Sequence, residues 1–520
     1  MSEILYNGIT LPEAWPPKYP DEVIKDRQPV PYLDSPPEVI NITLGRQLFV
    51  DDFLIEECTL DAVCHSAEKY ANNPILYPET PMEKDEVLPF AAPKDGAVLY
   101  DRDEHIYKMW YEAGWLHKNA YATSKDGIRW ERPNLHIVEG TNEILPERGE
   151  MTDENGIPHN FRPDSTTVIK DYDTDDARAR YKLFMRNSGG YISGIVATSP
   201  DGIHFDRADS TSKQGDRSTI FYNPFRKKWV YSIRGGWGER LREYYECDDL
   251  MAGAKWFGKE VRWLAADSSL KPDPYIGLPP QLYNVQCAGY ESIMLGLYEV
   301  WYGPENNVGF KTGVPKKTEL IAMYSRDGFH FTRPTNRALI QASMVEGSWD
   351  RGYVQSVGGV CVVLKDELRF YYSGVAGDES RGGTGDPNNC QFDTMYANGA
   401  CGFATLRRDG FVSREGSGSL LTRRVKFDGN KKYFFINAEV SGSLTVKLCD
   451  ESGGILAESA PFSGDSTAAM LDFGGFDISR LEGRPHLIKF ELSCGKLYSF
   501  WYSDTEAGES GAERLNNMAE

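Results

Sequence analysis

Three aspartates precede predicted strands at corresponding places along the chain, and residues of this type could carry acid–base chemistry. Asp95 stands before "GAVLY", Asp164 before "STTVI" and Asp216 before "RSTIF". The second strand of each predicted hairpin ends in a polar residue, and across five repeats these residues are Glu112, Arg186, Arg234, Glu299 and Ser373. Carboxylates gathered at one pocket are what glycoside hydrolysis requires, because one protonates the leaving oxygen while another attacks the anomeric carbon or activates water. Crowding of like charges also raises one pKa enough to keep a proton near neutral pH.

Side chains that could contact a substrate lie close to these carboxylates in the sequence. Trp110, Trp115 and Trp237 could stack on a sugar face. The motif "GSWDRG", with Asp350 and Arg351, is either a contact at the rim of the pocket or an ordinary entry to a strand. Plain structural roles are open to all of these residues, since an aspartate before a strand commonly caps a turn. The coincidence of the aspartates at equivalent places favours a functional site.

One short element recurs five times and indicates the architecture. Its copies are "ATSKDGIRWERP", "ATSPDGIHFDRA", "YECDDLMAGAKW", "MYSRDGFHFTRP" and "ATLRRDGFVSRE". Four of them contain Asp-Gly, which is a strong signal for a tight turn between two strands. We assign the turn aspartates to turn geometry; they are Asp126, Asp201, Asp249, Asp327 and Asp409.

A longer hairpin precedes each copy, so the repeating unit holds four antiparallel strands. Five such units predict a five-bladed β-propeller, whereas unrelated hairpins in β-sandwiches are the alternative. In a propeller blade the innermost strand starts at the mouth of the central funnel, and the next strand returns to that mouth. The three aspartates and the five second-strand ends would therefore meet on one face.

The flanking segments differ from the repeats and suggest the domain organisation. Residues 1–45 are rich in proline and charge and are expected to form an extended arm. We expect the propeller over residues 46–424 and a small C-terminal β-sandwich over 425–505, where alternating strands lose the repeat. Residues 506–520 are polar, and we expect them to fray. The fold class is thus all-β.

Composition excludes several functional classes. The formal net charge is −20, and no run of Lys or Arg could form the basic face that a nucleic-acid binder needs. We find no apolar run long enough for a membrane span and no signal peptide. Nine cysteines without metal-ligand spacing, in a chain without an export signal, favour reduced thiols and a cytoplasmic location. No cofactor is expected, and no ligand spacing predicts a metal.

The five-bladed pattern with acids before the inner strands of blades 1, 2 and 3 resembles the glycoside hydrolase superfamily of invertases, levanases, arabinanases and β-xylosidases. The segments "LFVDDFLIEE", "VLYDRDEHIYKMWYEAG" and "RRDGFVSREG" further resemble a branch of glycosyl hydrolases related to the invertase group. The resemblance spans about residues 45–505. It implies that Asp95 is nucleophile or base, that Asp164 stabilises the transition state or orients the acid, and that Asp216 protonates the leaving group.

This chain departs from the invertase pattern in all three motifs. Blade 1 carries "PKDGAV" where invertases have Asn-Asp-Pro, and blade 2 carries "RPDST" where they have Arg-Asp-Pro. At blade 3 the family acid is a glutamate, whereas Asp216 is shorter by one methylene. The proton donor is therefore either Asp216 or one of the two strand-end glutamates, Glu112 and Glu299.

The resulting hypothesis is a glycoside hydrolase that acts on short oligosaccharides or glycosides, with exo action at a furanoside-type (fructosyl or arabinosyl) end. The alternatives are a phosphorylase of the five-bladed mannoside type, with Arg186 and Arg234 on phosphate, and a non-catalytic propeller that binds sugar or protein. An acidic sugar held by the two arginines is a variant of the first hypothesis. The expected partner is a small sugar substrate, with no nucleic acid and no membrane. The C-terminal sandwich would support the propeller or form a contact in a homo-oligomer.

Overall fold

Five sheets arranged in succession along the chain form a five-bladed β-propeller, which confirms the predicted all-β class and the predicted propeller. The structure, a computed structural model, describes residues 2–20, 26–84, 88–145, 163–187, 193–205, 207–235, 240–381, 394–515 and 517–519. Within the sheets, neighbouring strands are antiparallel and sequential, as hairpin-rich sequences with Asp-Gly turns require.

The blades have the following strands. Blade 1 comprises Ala91–Ala92, Val98–Asp101, Ile106–Ala113, Lys118–Ser124 and Glu143–Leu145. Blade 2 comprises Pro163–Lys170, Tyr181–Asn187, Ser193–Ser199 and Arg207–Lys213. Blade 3 comprises Thr219–Asn223, Lys228–Gly235, Leu241–Cys247 and Val261–Ala265. Blade 4 comprises Gln281–Tyr290, Ile293–Gly303, Lys317–Ser325 and Ile340–Gln341. Blade 5 comprises Gly352–Ser356, Val362–Val363, Glu367–Val375, Gly399–Arg407 and Glu68–Lys69.

The inner strands are buried on both faces because each blade is packed between two others. The strand Ile293–Gly303 is buried at every position. Its Met294 packs in the core shared with blade 3, and its Leu295 packs in the core shared with blade 5. Such strands are continuous apolar runs, so the polar residues at their funnel ends stand out.

Blade 5 departs from the repeat because its outer strand comes from the other end of the propeller sequence. Glu68–Lys69 pairs with Ala404 and Thr405 on the third strand of the blade. The strand after the Asp409 turn, Val412–Thr422, instead joins the C-terminal sheet. The fifth copy of the repeated element is therefore not an outer hairpin of blade 5, since the N-terminal strand already covers that edge and closes the ring.

The C-terminal part of the chain forms an eight-stranded sheet that also recruits strands from before the propeller. Its strands are Gln47–Leu48, Ile55–Cys58, Asp61–Cys64, Val412–Thr422, Tyr433–Cys449, Ile455–Glu458, Phe462–Met470 and Leu487–Ser503. A short parallel pair, Ile40–Asn41 with Val425–Lys426, lies beside it. Residues 46–424 therefore include strands of this sheet as well as the propeller.

Both termini are packed against the body of the protein. In the N-terminal arm Tyr32 is buried in the core of the C-terminal sheet. The C-terminal tail is not frayed: the Asn517 side chain donates to the backbone oxygens of Val98 and Cys361 and accepts from the backbone nitrogen of Tyr100. The tail thus joins blades 1 and 5 at the end of the propeller opposite the funnel.

Helices are few and short. The α-helices are Pro31–Asp34, Pro81–Lys84 and Asn306–Thr312, and the 3-10 helices are Ala177–Ala179, Ala252–Ala254, Glu379–Arg381, Thr394–Tyr396 and Ile478–Leu481. Among the described residues, none of the helices has the length and apolar character that crossing a membrane demands.

Candidate functional site

The three predicted aspartates do not occupy equivalent positions in their blades, as the backbone conformation near the starts of the inner strands shows. In blades 1, 2, 3 and 5 a residue with positive φ lies near the start of the innermost part of the blade: before Val98–Asp101 in blade 1, before Thr219–Asn223 in blade 3, and within the first three residues of the first strand in blades 2 and 5. These residues are Asp95 (φ 63°), Ser165 (φ 56°), Arg217 (φ 62°) and Tyr353 (φ 48°). The equivalents of Asp95 are therefore Ser165 and Arg217, whereas Asp164 and Asp216 correspond to Lys94. Such positive φ values are uncommon for non-glycine residues and mark backbone that the surroundings hold in place.

The residues at the bottom of the funnel, here called the funnel floor, form one buried polar cluster drawn from four blades. Its members are Lys94, Asp95, Glu112, Asp164, Arg217, Asn284 and Glu299.

Asp95 occupies the centre of the funnel floor and is fully buried. Its Oδ1 accepts a hydrogen bond of 2.6 Å from Asn284 Nδ2 of blade 4. Its Oδ2 lies 2.8 Å from Arg217 Nη1 of blade 3. Burial raises the pKa of Asp95, and the charges of Arg217 and Lys94 oppose that rise.

Lys94 connects two carboxylates on one side of the floor. Its Nζ donates to Asp164 Oδ1 at 2.6 Å and lies 3.3 Å from Glu112 Oε1. Arg186 Nη1 donates to the other oxygen of Asp164, also at 2.6 Å. Glu112 and Asp164 share one ammonium group, so their nearest oxygens are at most about 6 Å apart.

Arg217 connects a second pair of carboxylates on the other side. Its Nη2 donates to Glu299 Oε2 at 2.6 Å, while its Nη1 faces Asp95. The sequence places Arg217 directly after Asp216, so the side chain that reaches the floor in blade 3 is a cation and not the predicted carboxylate.

The environment separates the protonation states of these acids. Burial raises the pKa of Glu112 to about 7, and it raises the pKa of Glu299 to about 7 as well, although Lys94 and Arg217 respectively oppose these shifts. Burial also acts to raise the pKa of Asp164, but Lys94 and Arg186 outweigh it and hold that pKa well below its usual range. Near neutral pH the floor therefore holds an ionised aspartate beside two glutamates that can carry a proton.

In both glutamates, Glu112 and Glu299, the Oε1 atom accepts fewer hydrogen bonds than it could. Among the described residues no group donates a hydrogen bond to Glu299 Oε1, and Glu112 Oε1 has Lys94 Nζ at 3.3 Å without the geometry of a hydrogen bond. Glu112 is the more weakly held, since its Oε2 accepts only from the backbone nitrogen of Leu116 at 3.4 Å. A buried carboxylate oxygen without a donor favours the protonated form.

The predicted residues Asp216, Arg186 and Arg234 lie on the wall of the funnel above this floor. Asp216 and Arg234 form an ion pair, and their side chains are 37% and 28% exposed. Arg186, bonded to Asp164, is 21% exposed. Asp216 thus contacts solvent and a cation, unlike the buried acids of the floor. Ser373, the strand end in blade 5, accepts from the backbone nitrogen of Lys94.

The three predicted tryptophans have different positions. The Trp115 ring lies over Lys94 Nζ, 4.0 Å from its centroid, and stacks on Tyr396 at 4.1 Å, so it belongs to the wall. Trp110 does not reach the funnel: it is buried between blades 1 and 2 and donates to the backbone oxygen of Gly202, because inner strands are covered on both faces. Trp237 lies outside the described residues.

The motif "GSWDRG" is not brought to the floor. Asp350 accepts from Lys69 Nζ at 2.6 Å and from Tyr372, which ties together strands of blade 5. Arg351 forms an ion pair with Glu379, a few residues beyond the second strand of that blade. Asp350 thus has a structural environment, whereas Arg351 lies beyond the strand ends that surround the funnel.

Four residues in and beside the funnel floor were not apparent as candidates from the sequence: Lys94, Arg217, Asn284 and Arg242. Arg242 is buried on the third strand of blade 3 and donates to the backbone oxygens of Arg217 and Tyr283. Lys94 precedes Asp95 and Arg217 follows Asp216, so a prediction shifted by one residue would have identified them. Asn284 follows a β-bulge at Leu282, which shifts its strand position. Within the described ranges, no group of His, Cys, Asp and Glu is arranged to hold a metal ion.

Comparison with known proteins finds distant matches among solved structures. No protein-family model and no curated protein sequence matches the chain. Among solved structures, a Bacillus subtilis glycoside hydrolase family 43 arabinoxylan arabinofuranohydrolase is 10% identical over 79% of this chain and 78% of its own, with a TM-score of 0.30. A Listeria innocua β-1,2-mannobiose phosphorylase is 14% identical over 65% and 96%, with a TM-score of 0.41. A Lactobacillus brevis α-L-arabinofuranosidase is 10% identical over 64% and 96%, with a TM-score of 0.39. Similarity of this extent does not fix an activity, which depends on the site.

Proposed function

We propose that this protein is a glycoside hydrolase whose chemistry takes place at the funnel floor. The observation that carries the proposal is the pairing of an ionised carboxylate, Asp164, with a protonatable one, Glu112, on the same ammonium group. Two carboxyl groups whose pKa values are driven apart by their surroundings are the usual arrangement for acid–base catalysis of glycoside cleavage.

In this proposal Glu112 is the proton donor and Asp95 is the nucleophile or base. Glu112 is favoured over Glu299 because its contacts are longer, whereas Glu299 is held by Arg217 at 2.6 Å and positions that guanidinium. Asp164 stays ionised and fixes Lys94 beside Glu112. Asp216, which the family pattern implied as donor, contacts substrate from the wall.

Exo action is supported by the closed bottom of the funnel. Directly below Asp95 the inner strands of blades 1 and 5 touch, with the Gly358 nitrogen donating to the Gly96 oxygen at 2.6 Å. A Cβ at Gly358 would lie 3.0 Å from the Thr167 side chain of blade 2. A funnel closed at this depth lets no sugar chain pass along the propeller axis, as exo action requires. The furanoside type of that end rests on the family resemblance.

Phosphorolysis is the second candidate, because Arg186 and Arg234 are partly exposed at equivalent strand ends of neighbouring blades. Guanidinium groups in such a place bind phosphate well. Phosphate would then replace water as the acceptor of the glycosyl group.

The test is a hydrolysis screen of the purified protein on aryl furanosides, aryl pyranosides and short fructans, with and without phosphate. The Asp95→Asn and Asp164→Asn variants should lose about 10³-fold or more in kcat/KM. Asp216→Asn should lose less than about tenfold, since it removes a wall contact and not the donor.

Three outcomes would change the proposal. Unchanged activity in Asp95→Asn would exclude the funnel floor as the catalytic site. Turnover only with phosphate would favour the phosphorylase. A protein that binds sugars, yet turns over none of the panel, would support the non-catalytic propeller.

A further inference from the structure

Arg242 is a buried arginine beside the funnel floor, and its guanidinium group joins two blades. It lies on the third strand of blade 3 and has no exposed surface. Its Nη1 donates to the backbone oxygen of Arg217 in blade 3 at 2.7 Å, and its Nη2 donates to the backbone oxygen of Tyr283 in blade 4. Because the guanidinium fork is planar and rigid, it holds these two oxygens in a fixed relation to each other.

The two oxygens belong to the backbone segments that carry the side chains holding Asp95. Arg217 is itself the ion-pair partner on one side, with its Nη1 2.8 Å from Asp95 Oδ2. Asn284, which follows Tyr283, is the hydrogen-bond donor on the other side, with its Nδ2 2.6 Å from Asp95 Oδ1. Arg242 is therefore bonded within one residue of each group that holds the carboxylate.

The backbone at both oxygens departs from the regular β ladder. Tyr283 is the extra residue of a β-bulge, because the pairing with the second strand of blade 4 shifts between Leu282 and Asn284. Arg217 precedes the first strand of blade 3 and has a φ of 62°. Bulged residues and residues with positive φ keep their conformation where the surroundings fix it. The two hydrogen bonds from Arg242 fix the backbone at these points.

Asn284 depends on this support more than Arg217 does. Asn284 Oδ1 accepts from the backbone nitrogen of Val285 at 2.7 Å, so its side-chain amide moves with the backbone of the bulge. The Arg217 side chain is also held by Glu299 at 2.6 Å. Loss of the support from Arg242 would therefore displace Asn284 first.

We propose that Arg242 is a positioning residue for Asp95, because its fork holds the backbones of Arg217 and Tyr283 and so keeps both partners on the carboxylate. Its consequence for catalysis rests on the proposed function, in which Asp95 is the nucleophile or base. Either role requires an ionised carboxylate in a fixed orientation. If Arg242 only tied blade 3 to blade 4, its loss would change stability and nothing else.

The consequence of losing the Asn284 contact can be read from the charge of Asp95. The charged side chains that act on Asp95 across the floor include Lys94, Asp164, Arg217, Arg242 and Glu299. Loss of a hydrogen bond to a carboxylate raises its pKa, because the charged form loses stabilisation. Displacement of the Asn284 amide would therefore keep Asp95 protonated up to a higher pH.

The first measurement is geometric and independent of turnover. Crystal structures of the full-length wild type and of Arg242→Met, whose thioether cannot donate, are compared at the funnel floor. In the variant, Asn284 Nδ2 should lie beyond about 3.5 Å from Asp95 Oδ1. An unchanged Asn284 contact in the variant would overturn the inference.

The second measurement is the pH dependence of kcat/KM, per folded molecule, on an aryl glycoside that the wild type hydrolyses. Arg242→Met should lower kcat about 100-fold and change KM less than about threefold, because Asp95 is misplaced while the funnel wall is intact. The acid limb of the profile should move up by about one pH unit. An acid limb at the wild-type position would overturn the inference, even in a less stable variant.

Arg242→Lys separates position from charge. Lysine keeps a positive charge near Asp95, but its single nitrogen replaces the planar fork and cannot hold two oxygens in the same relation. The acid limb should move as it does in Arg242→Met. A wild-type limb in Arg242→Lys would overturn the inference and assign the effect to charge alone. This variant also keeps the inference testable if Arg242→Met does not fold.

Arg369→Met is the matched control, since Arg369 is another buried arginine that joins two blades. Its Nη1 donates to the backbone oxygen of Asp126 in blade 1 at 2.9 Å, near the start of the second strand of blade 5 and away from the funnel end of that strand. The control should lower the thermal unfolding temperature and leave the pH profile unchanged. A shifted acid limb in this variant would show that any lost contact between blades has the effect, and would overturn the inference.

The proposed function and this inference fail separately. No turnover of any glycoside by the wild type would remove the proposed function, while the two crystal structures would still decide whether Arg242 holds Asn284. Hydrolysis by the wild type, with the Asn284 contact unchanged in Arg242→Met, would keep the proposed function and remove the inference. A displaced Asn284 with a wild-type pH profile would remove the part of Arg242 in catalysis.

Discussion

This protein has two buried ionic clusters, and they differ in how many of their carboxylate oxygens accept hydrogen bonds. The first is the funnel floor. The second, here called the junction, connects blades 4 and 5 to the C-terminal sheet and consists of Arg46, Tyr290, Glu291, Arg408, Asp409, Asn437, Ser499 and Ser510.

At the junction every carboxylate oxygen accepts a hydrogen bond. Asp409 Oδ1 accepts from Tyr290, and its Oδ2 accepts from Arg46 and Ser499. Burial acts to raise the pKa of Asp409, but Arg46 and Arg408 outweigh it, so that pKa is lowered. At the floor, Glu112 and Glu299 each keep an oxygen that accepts no hydrogen bond from the described residues, and their pKa values rise to about 7. Complete bonding fixes an ionised, structural acid, whereas incomplete bonding leaves an acid that can exchange its proton.

The largest expected contrast is in activity. Glu112→Gln should lower kcat/KM on unactivated glycosides by about 10³-fold, because it removes the proposed proton donor. Glu291→Gln at the junction should leave kcat per folded molecule within about twofold, because it lies away from the funnel. Kinetics on both variants, normalised to the folded fraction, measure this. Equal losses in both would remove the distinction between the clusters.

The next contrast is in the free energy of unfolding, where the junction variant should be affected more than the floor variant. Asp409→Ala should lower the free energy of unfolding by about 3 kcal/mol, since it removes the nearer carboxylate of the buried Arg46 and leaves Glu291 at 3.9 Å. Glu112→Gln should cost less than about 1 kcal/mol or stabilise, because Gln removes a carboxyl group whose charged form is penalised by burial. Urea unfolding monitored by fluorescence gives both values. A floor variant as destabilised as Asp409→Ala would show that Glu112 is structural.

The contributions of Glu112 and Asp409 to the free energy of unfolding should depend on pH with opposite signs. The pKa of Glu112 is higher in the folded protein than its ordinary value of 4.5, so the folded state binds the proton more tightly. Its contribution therefore becomes unfavourable as pH rises from about 4.5 to about 7, on the order of 3 kcal/mol. The pKa of Asp409 is lowered, so its contribution is present above about pH 4 and is lost as pH falls.

Urea unfolding curves measured between about pH 5 and about pH 8 test whether stability falls with rising pH, as the raised pKa of Glu112 requires. Glu112→Gln should flatten the loss of stability in that range, and Asp409→Asn should not. Activity should fall above about pH 7 in the wild type as Glu112 loses its proton. An identical stability profile in wild type and Glu112→Gln would contradict the raised pKa.

The smallest expected effect concerns the tail at the opposite end of the propeller. Asn517→Ala removes bonds to the backbones of Val98, Tyr100 and Cys361 and should lower the free energy of unfolding by about 1–2 kcal/mol. Activity per folded molecule should not change. Thermal unfolding of this variant beside Glu506→Gln, an exposed residue of the same segment, provides the measurement. No difference between them would mean that the tail contributes little to closing the ring.

The propeller could be predicted because its signals are local. Alternating hairpins and the Asp-Gly turns, in which Asp126 and Asp201 accept from backbone nitrogens two and three residues ahead, are readable from sequence. The closing strand Glu68–Lys69 could not be predicted in this way, because its partner lies more than three hundred residues later. Long-range pairing leaves no trace in a local pattern.

The candidate site was predictable only in part for a related reason. Strand ends such as Glu112 and Glu299 follow from strand length, and both lie on the floor. The starts of the first strands depend on residues with positive φ, which shift the register by one, so Arg217 and not Asp216 reaches the floor of blade 3. The pKa values of the glutamates depend on burial by four blades, which sequence spacing does not contain.

The most direct test of the account is the leaving-group dependence of the Glu112→Gln variant. Aryl glycosides of one sugar, with phenols of increasing acidity, are hydrolysed by wild type, Glu112→Gln and Asp95→Asn. If Glu112 donates the proton, its variant should lose about 10³-fold on poor leaving groups and nearly nothing on the most acidic phenols, which need no proton, whereas Asp95→Asn should lose activity on all of them. A loss in Glu112→Gln that is the same for every phenol, or no loss at all, would contradict the account.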